Sequence, residues 1–424
     1  HYFVSKVLIL FSYHNLNITS RAKGLIQEQK YTEMGIQFPF LMAAEVGPCT
    51  EQEAVLYYQQ PLNLFGNEVV TRISKDTDTH FVASSLSLWT LLASIAFGAT
   101  DFTLEELEKV LKFHSQSCFT RKFFEFVKDV SNDGDVVVKR SASVFGDKTL
   151  LFTDWFRRQI QATGITKLEE IIFDNPVEVA ATINDYVESA TGGAIDDVVT
   201  PVDVDGAEVV LVDAISFRGP WKYKLMTQYN PAMPSTFYGS GGERIGKVNL
   251  IYTKLKANVT DIPEMNARVL ELPYKDDRFS MLFILPNKGM LIEKVVEKLK
   301  NIKLHSIFGR FKPQIVTVRI PRFKISSHSN MKEKFIDMGL KSMFDAGATF
   351  TEMAEVSFYV STIIQRATIE VTEEGSEAAS TVYMAHNLLM ETMFEANRPF
   401  LYILVEKQAK IALFTGAYSK PSFY

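Results

Sequence analysis

Cysteine is scarce: Cys49 and Cys118 are the two in 424 residues. That excludes a disulfide-dense scaffold and a multi-cysteine zinc site, and leaves either one bridge or two free thiols. No apolar run approaches the roughly 20 residues that span a bilayer. Positive charge is not in excess, since 45 Lys and Arg against 50 Asp and Glu give a net charge of −5. General binding to nucleic acid or to a membrane surface is therefore excluded as the main role. The seven histidines are scattered, with no HExxH spacing, and no GxSxG elbow occurs. Nothing localises a catalytic or metal site, and no cofactor is implied. The stretch from Gly241 to Lys247 has phosphate-loop spacing, but Val248 stands where a Ser or Thr hydroxyl must hold Mg²⁺. It reads as a glycine-rich turn. The last absence is local: from Ser376 to Asn397 there is neither Gly nor Pro.

What is present is an ordinary globular composition, 46% hydrophobic and 22% charged. Residues 1–60 show no clean period and read as an N-terminal extension, with 61–424 as the domain. Val7 to Phe11 after Lys6 is a short candidate remnant of a secretory leader. Sequons at Asn17 and Asn258 fit a secreted glycoprotein. Helical spacing marks 88–95, broken by Gly98, then 123–130, 180–189, 292–302 and 331–339. Thr103 and Glu106 have capping-box spacing and predict a helix over 104–111. Strand patterns cover 136–145, 209–212, 281–285 and 315–321, and 132–135 reads as a turn. Helices dominate early and strands late, without regular βαβ alternation, which predicts an α+β fold.

Residues 373–397 connect one strand-like segment, 367–371, to another, 399–405. About 20 residues is long for such a connection. Lacking Gly and Pro, it does not resemble a flexible spacer. A strand exposes alternate side chains to opposite faces. One set here is Ser376, Ala378, Ser380, Val382 and Met384, uncharged and small at its start. The other is Glu377, Ala379, Thr381, Tyr383 and Ala385. The first set suits burial and the second suits solvent, so the segment is able to become a strand.

Several motifs then agree in order and spacing. They are Ser84-Ser85-Leu86-Ser87-Leu88, Phe97-Gly98-Ala99, Ile183-Asn184-Asp185-Tyr186-Val187 with Thr191-Gly192-Gly193, and Asp213 through Trp221. They continue with Glu271-Leu272-Pro273-Tyr274, Ile320-Pro321-Arg322-Phe323, Glu374-Gly375-Ser376-Glu377-Ala378-Ala379, Phe394 through Phe400, and Leu413-Phe414-Thr415-Gly416. The set resembles the serpins from about residue 61 to Tyr424. The resemblance implies a serpin fold, with about nine helices around three β-sheets and an exposed reactive-centre loop. It implies a suicide inhibitor of proteases, not an enzyme. The loop is cleaved as bait and inserts as a new central strand before the acyl-enzyme can hydrolyse. Serpin loop insertion is itself a known instance of strand addition that releases stored strain.

The resemblance also assigns residues. The loop hinge is Glu373, Glu374, Gly375, Ser376, Glu377, Ala378, Ala379, Ser380 and Thr381. Counting 16 residues from Glu373 puts the reactive bond at Leu389–Met390; counting back from Pro399 gives Leu388–Leu389. Leu fills a deep apolar pocket, so chymotrypsin-like, cathepsin G-like or elastase-like serine proteases are expected, and trypsin-like ones are not. His386 reads as a protease contact. Ser84, Ser87, Asp213 and Gln365 fall in the hydrogen-bonded shutter beneath the central sheet. Three positions depart from the family pattern: Ser85 replaces Pro, Asp213 replaces Asn, and Gln365 replaces His. A compensated rewiring is the plainer reading; a sheet whose opening depends on pH through Asp213 is the sharper one. Two basic sets, Lys294 through Lys312 and Lys109, Lys112, Arg121 and Lys122, read as solvated faces or as a glycosaminoglycan site. A secreted monomer is expected, with a weak leaning to an arthropod source. The alternative is a non-inhibitory serpin-fold carrier, storage protein or chaperone.

Overall fold

The computed structural model describes residues 49–130, 136–227, 234–374 and 392–424. Helix α1 (Glu51–Asp76) starts at a capping box in which Thr50 and Glu53 satisfy each other's backbone amides. It takes in residues 51–60, which the sequence assigns to the extension. Pro61 lies inside the helix and interrupts its periodic signal. Strand β1 (Phe81–Ala83) leads to α2 (Ser85–Ile95), whose eleven residues are all buried. A helix apolar all round belongs in a core, and this one is the core's axis. Its 3₁₀ extension ends at Gly98, where a Cβ would lie 2.5 Å from Met353 Cβ, so no larger residue fits without a shift.

Helices α3 (Asp101–Leu111) and α4 (Ser117–Val130) follow, then β2 (Val137–Asp147), α5 (Asp154–Thr163), β3 (Lys167–Ile171), α6 (Pro176–Thr191), the short α7 (Pro201–Val204) and β4 (Val209–Arg218). The Thr103–Glu106 capping box does not form. Helix α3 begins three residues earlier, at Asp101, and both side chains turn to another segment. Thr103 Oγ1 accepts from Thr349 N at 3.0 Å, and Glu106 Oε2 accepts from the amides of Lys341 and Ser342 at 2.7 and 2.9 Å. The second half of the chain is strand-rich: β5 (Met226–Thr227), β6 (Ser235–Tyr238), β7 (Arg244–Val248), β8 (Leu250–Ile262), β9 (Ala267–Pro273) and β10 (Phe279–Pro286). After α8 (Ile292–Leu299) and α9 (Leu304–Phe308) come β11 (Lys312–Pro321), β12 (Phe323–Asn330), α10 (Lys332–Met338), β13 (Thr362–Val371), β14 (Thr392–Glu395), β15 (Phe400–Glu406) and β16 (Ile411–Tyr418).

The described residues thus hold ten α-helices, one more than expected, and three sheets. A nine-stranded sheet runs β1-β16-β15-β10-β9-β8-β11-β14, with β5 on β8; β6 and β7 form a hairpin around the glycine-rich turn. The five-stranded sheet runs β12-β13-β4-β2-β3. Its two faces are covered differently. Val210, Val212 and Ala214 of β4 and Ile364 of β13 pack under α6 with Val179, Ile183 and Val187. The alternate residues Val209, Leu211, Ile215 and Phe217 face the main core around α2. The chain leaves this sheet at Val371 and re-enters the other one at Thr392, where β14 runs parallel to β11.

Candidate functional site

Strands β13 and β4 are direct neighbours and parallel, paired from Thr362 with Val210 to Ile369 with Phe217. Three layers of contact hold this seam. At its Val371 end, Trp221 Nε1 donates to Thr372 O at 2.7 Å, and Trp221 N donates to Glu374 O at 2.9 Å. The indole is buried and stacks on Tyr274, with ring centroids 4.4 Å apart. Arg218 Nη2 donates to both oxygens of Glu374 at 2.9 Å, and its Nε lies 3.6 Å from Glu370 across the seam. Arg322 Nη1 donates to Glu373 at 3.3 Å, and its guanidinium sits over the ring of Tyr424, whose hydroxyl donates to Glu370. The Arg218–Glu374 pair is open to solvent and the Arg322–Glu373 pair is half-buried, so the backbone bonds and the buried indole carry more of the stability.

In the middle of the seam, Gln365 and Asp213 are register partners. Each sits in the inward row of its strand, among Ile363, Ala367 and Ile369 on one side and Leu211 and Ile215 on the other. Both are buried. Gln365 Nε2 donates to Asp213 Oδ2 at 2.6 Å and to Ser84 O at 2.9 Å, while its Oε1 accepts from Ser84 N at 3.1 Å. Ser87 Oγ donates to Asp213 Oδ1. Ser84 caps α2, accepting from Ser87 N, and its hydroxyl donates to Leu413 O at 2.7 Å. The sequence-derived residues Ser84, Ser87, Asp213 and Gln365 are therefore one connected cluster.

The cluster contains a member the sequence reading missed. Arg140 of β2 is buried against the same face, with Nε 3.9 Å from Asp213 Oδ1 and its side chain 7% exposed. Its Nη2 donates to Ser87 O at 3.2 Å and to Thr90 Oγ1. Burial pushes the Asp213 carboxyl above the usual carboxylate range, against the pull of Arg140, Ser87 and Gln365 in that order. Burial likewise pushes Arg140 down, opposed by Asp213. The signal was available: in an alternating strand, Arg140 keeps phase with the inward Ala142 and Val144.

Glu373 and Glu374 of the hinge are clamped as above. Gly375, Ser376, Glu377, Ala378, Ala379, Ser380, Thr381, His386, Leu388, Leu389, Met390 and the sequon at Asn17 lie outside the described residues, as does the 132–135 turn. Asn258 lies within β8, half-buried, with its amide donating to Glu271 at 2.7 Å; a glycan there would have to displace that bond. Cys49 and Cys118 are paired, Cα atoms 6.4 Å apart, tying the start of α1 to α4. In the basic sets, Lys294 pairs with Glu297, Arg310 with Glu264 and Lys122 with Glu125. Among the described residues, no group of three or more His, Cys, Asp or Glu could hold a metal ion, and no helix is long and apolar enough to cross a membrane.

Comparison with known proteins agrees with this architecture. The family model described as serpin (serine protease inhibitor) matches residues 60–421. The chain is 29% identical to leukocyte elastase inhibitor of Xenopus laevis, over 84% of this chain and 97% of that protein. It is 30% identical to antithrombin-III of Ovis aries, over 82% of this chain and 78% of that protein. The crystal structure of a highly specific serpin of the insect Tenebrio molitor superposes with a TM-score of 0.75 at 25% identity, covering 88% of this chain and 99% of that one. A seam of two parallel strands beneath a clamped loop stem, the ordered motifs and these matches lead to one conclusion: the chain belongs to the serpin family.

Proposed function

We propose that the chain is a secreted suicide inhibitor of a chymotrypsin-like serine protease, trapping the acyl-enzyme by inserting its cleaved loop between β13 and β4. The observation that carries this is the parallel pairing of β13 directly on β4. A strand returning from the Val371 end of β13 would run antiparallel to both neighbours. One parallel ladder would be exchanged for two antiparallel ones, and antiparallel pairing is somewhat more stable per residue. Cleavage supplies the free end this exchange needs. The Ser376-Ala378-Ser380 row supports the reading, since it is uncharged and small enough to pass beneath the sheet. Leu389 before Met390 is the proposed reactive bond, and its side chain suits a chymotrypsin-like, cathepsin G-like or elastase-like pocket. Relatives named as inhibitors of elastase and of serine proteases support the same reading.

The Cys49–Cys118 bridge supports secretion, because disulfides persist in oxidising compartments. The paired basic residues favour solvated faces over a glycosaminoglycan site on α8. The test is incubation with chymotrypsin and with elastase. An SDS-stable covalent complex is expected, with release of a peptide beginning at Met390. A peptide beginning at Leu389 moves the bond to Leu388. Clean cleavage without a complex overturns the inhibitory reading in favour of a non-inhibitory serpin.

A further inference from the structure

Parting β13 from β4 must break the Gln365–Asp213 bond, since the two residues face each other across the seam. Asp213 would then lose one of its two hydrogen-bond donors while still buried among Leu211, Ile215 and the α2 core. A buried carboxylate without compensation is costly. What remains beside it is decided by β2, which stays paired with β4 from Val137 to Gly146. Arg140 lies on that strand, opposite Ile215 and two residues from the Ala142 that faces Asp213. Among the described residues, the charged group facing Asp213 is Arg140. Helix α2 contributes Ser84, Ser87 and Thr90, β13 contributes Gln365, and β16 contributes the Leu413 carbonyl on Ser84.

We propose that Arg140 is a positioning residue for sheet opening: it is the counter-cation that keeps Asp213 compensated when Gln365 leaves. The family resemblance gave the other four members of the cluster; this one comes from the geometry of this chain. Its guanidinium travels with the carboxylate because the β2–β4 ladder is not the one that opens. A single neutral donor on β13 can then be given up without stranding a charge. The inference rests on the inhibitory reading above for its role in opening, and on the geometry alone for the pairing.

The test uses the full-length chain with Arg140→Met, Asp213→Asn and the double variant. Arg140→Met is expected to lower the melting temperature by about 5–10 °C and to steepen the loss of stability with rising pH. Adding Asp213→Asn to it should restore most of the stability and flatten the pH profile, which mere loss of packing would not do. With chymotrypsin, Arg140→Met should give on the order of tenfold more cleaved product per covalent complex, and the double variant should return toward wild type. No rescue by Asp213→Asn overturns the pairing. A rescued melt with an unchanged or lower cleaved fraction in Arg140→Met overturns the role in opening. If wild type forms no complex with any tested protease, the inhibitory reading fails with the opening role, and the melting cycle still decides the pair.

Discussion

Ser85 stands at the first turn of α2 with its hydroxyl buried and without a hydrogen-bond partner. The residue before it, Ser84, is extended at φ −112° and ψ 94°, as a residue preceding Pro must be. A cavity of about 30 Å³, lined by Ser85, Gly66 and Leu86 among others, leaves room for a ring. Pro is pre-organised for the first helical position and needs no amide there. Ser85→Pro is therefore expected to stabilise the protein by roughly 1 kcal/mol, read as a higher urea midpoint at unchanged slope. His80 makes a second prediction at this scale. Its Nδ1 accepts from the amides of Ser419 and Lys420, and burial, helped by the Lys420 charge, holds its pKa down to about 4. A depressed histidine favours the folded state fully above its ordinary value near 6.5 and loses that contribution as pH falls toward 4. Melting temperature should drop over that window in wild type, and His80→Gln should reduce the slope.

At the scale of elements, the contacts that fix α3 and α4 are not the ones their sequences advertise. Thr103 and Glu106 have capping-box spacing, yet they hold the 341–349 segment: Glu106 accepts from the first amides of its short 3₁₀ turn Ser342–Phe344, which have no partner within that turn. Glu106→Ala removes the acceptor of two backbone amides and of Ser342 Oγ. A loss of about 1–3 kcal/mol is expected, measured by denaturant unfolding. Helix α4 is tied at its start by the disulfide to Cys49 across 69 residues of chain. Cys49→Ser with Cys118→Ser should cost roughly 2–4 kcal/mol, since the open chain regains the entropy that the loop denied it. The same melting curve in wild type with reductant should match the double variant. Helix positions were legible because apolar period 3.6 is a local property. Cap partners were not, because Lys341 lies 235 residues from Glu106.

For the whole molecule, the described structure pairs β13 directly with β4, with no strand between them. Its two leaves are held by a parallel ladder, a clamped stem and a buried polar cluster. If the loop inserts after cleavage, stability should rise rather than fall. Nicking within 382–391 by a protease that is not trapped should raise the melting temperature by roughly 10 °C or more, as several kcal/mol of new strand pairing would. A nicked form that melts at or below the intact one argues against insertion. The sequence by itself determined the α+β class, the long connection between two strands, and the inward placement of Ser84, Ser87, Asp213 and Gln365 that the ordered motifs imply. Those are matters of period, spacing and motif order along one chain. The tertiary structure alone decided that β13 lies directly on β4, that Cys49 meets Cys118, and that Arg140 joins Asp213. Each depends on which distant strands and helices become neighbours, and a buried charge finds its counter-charge only once the sheet has formed.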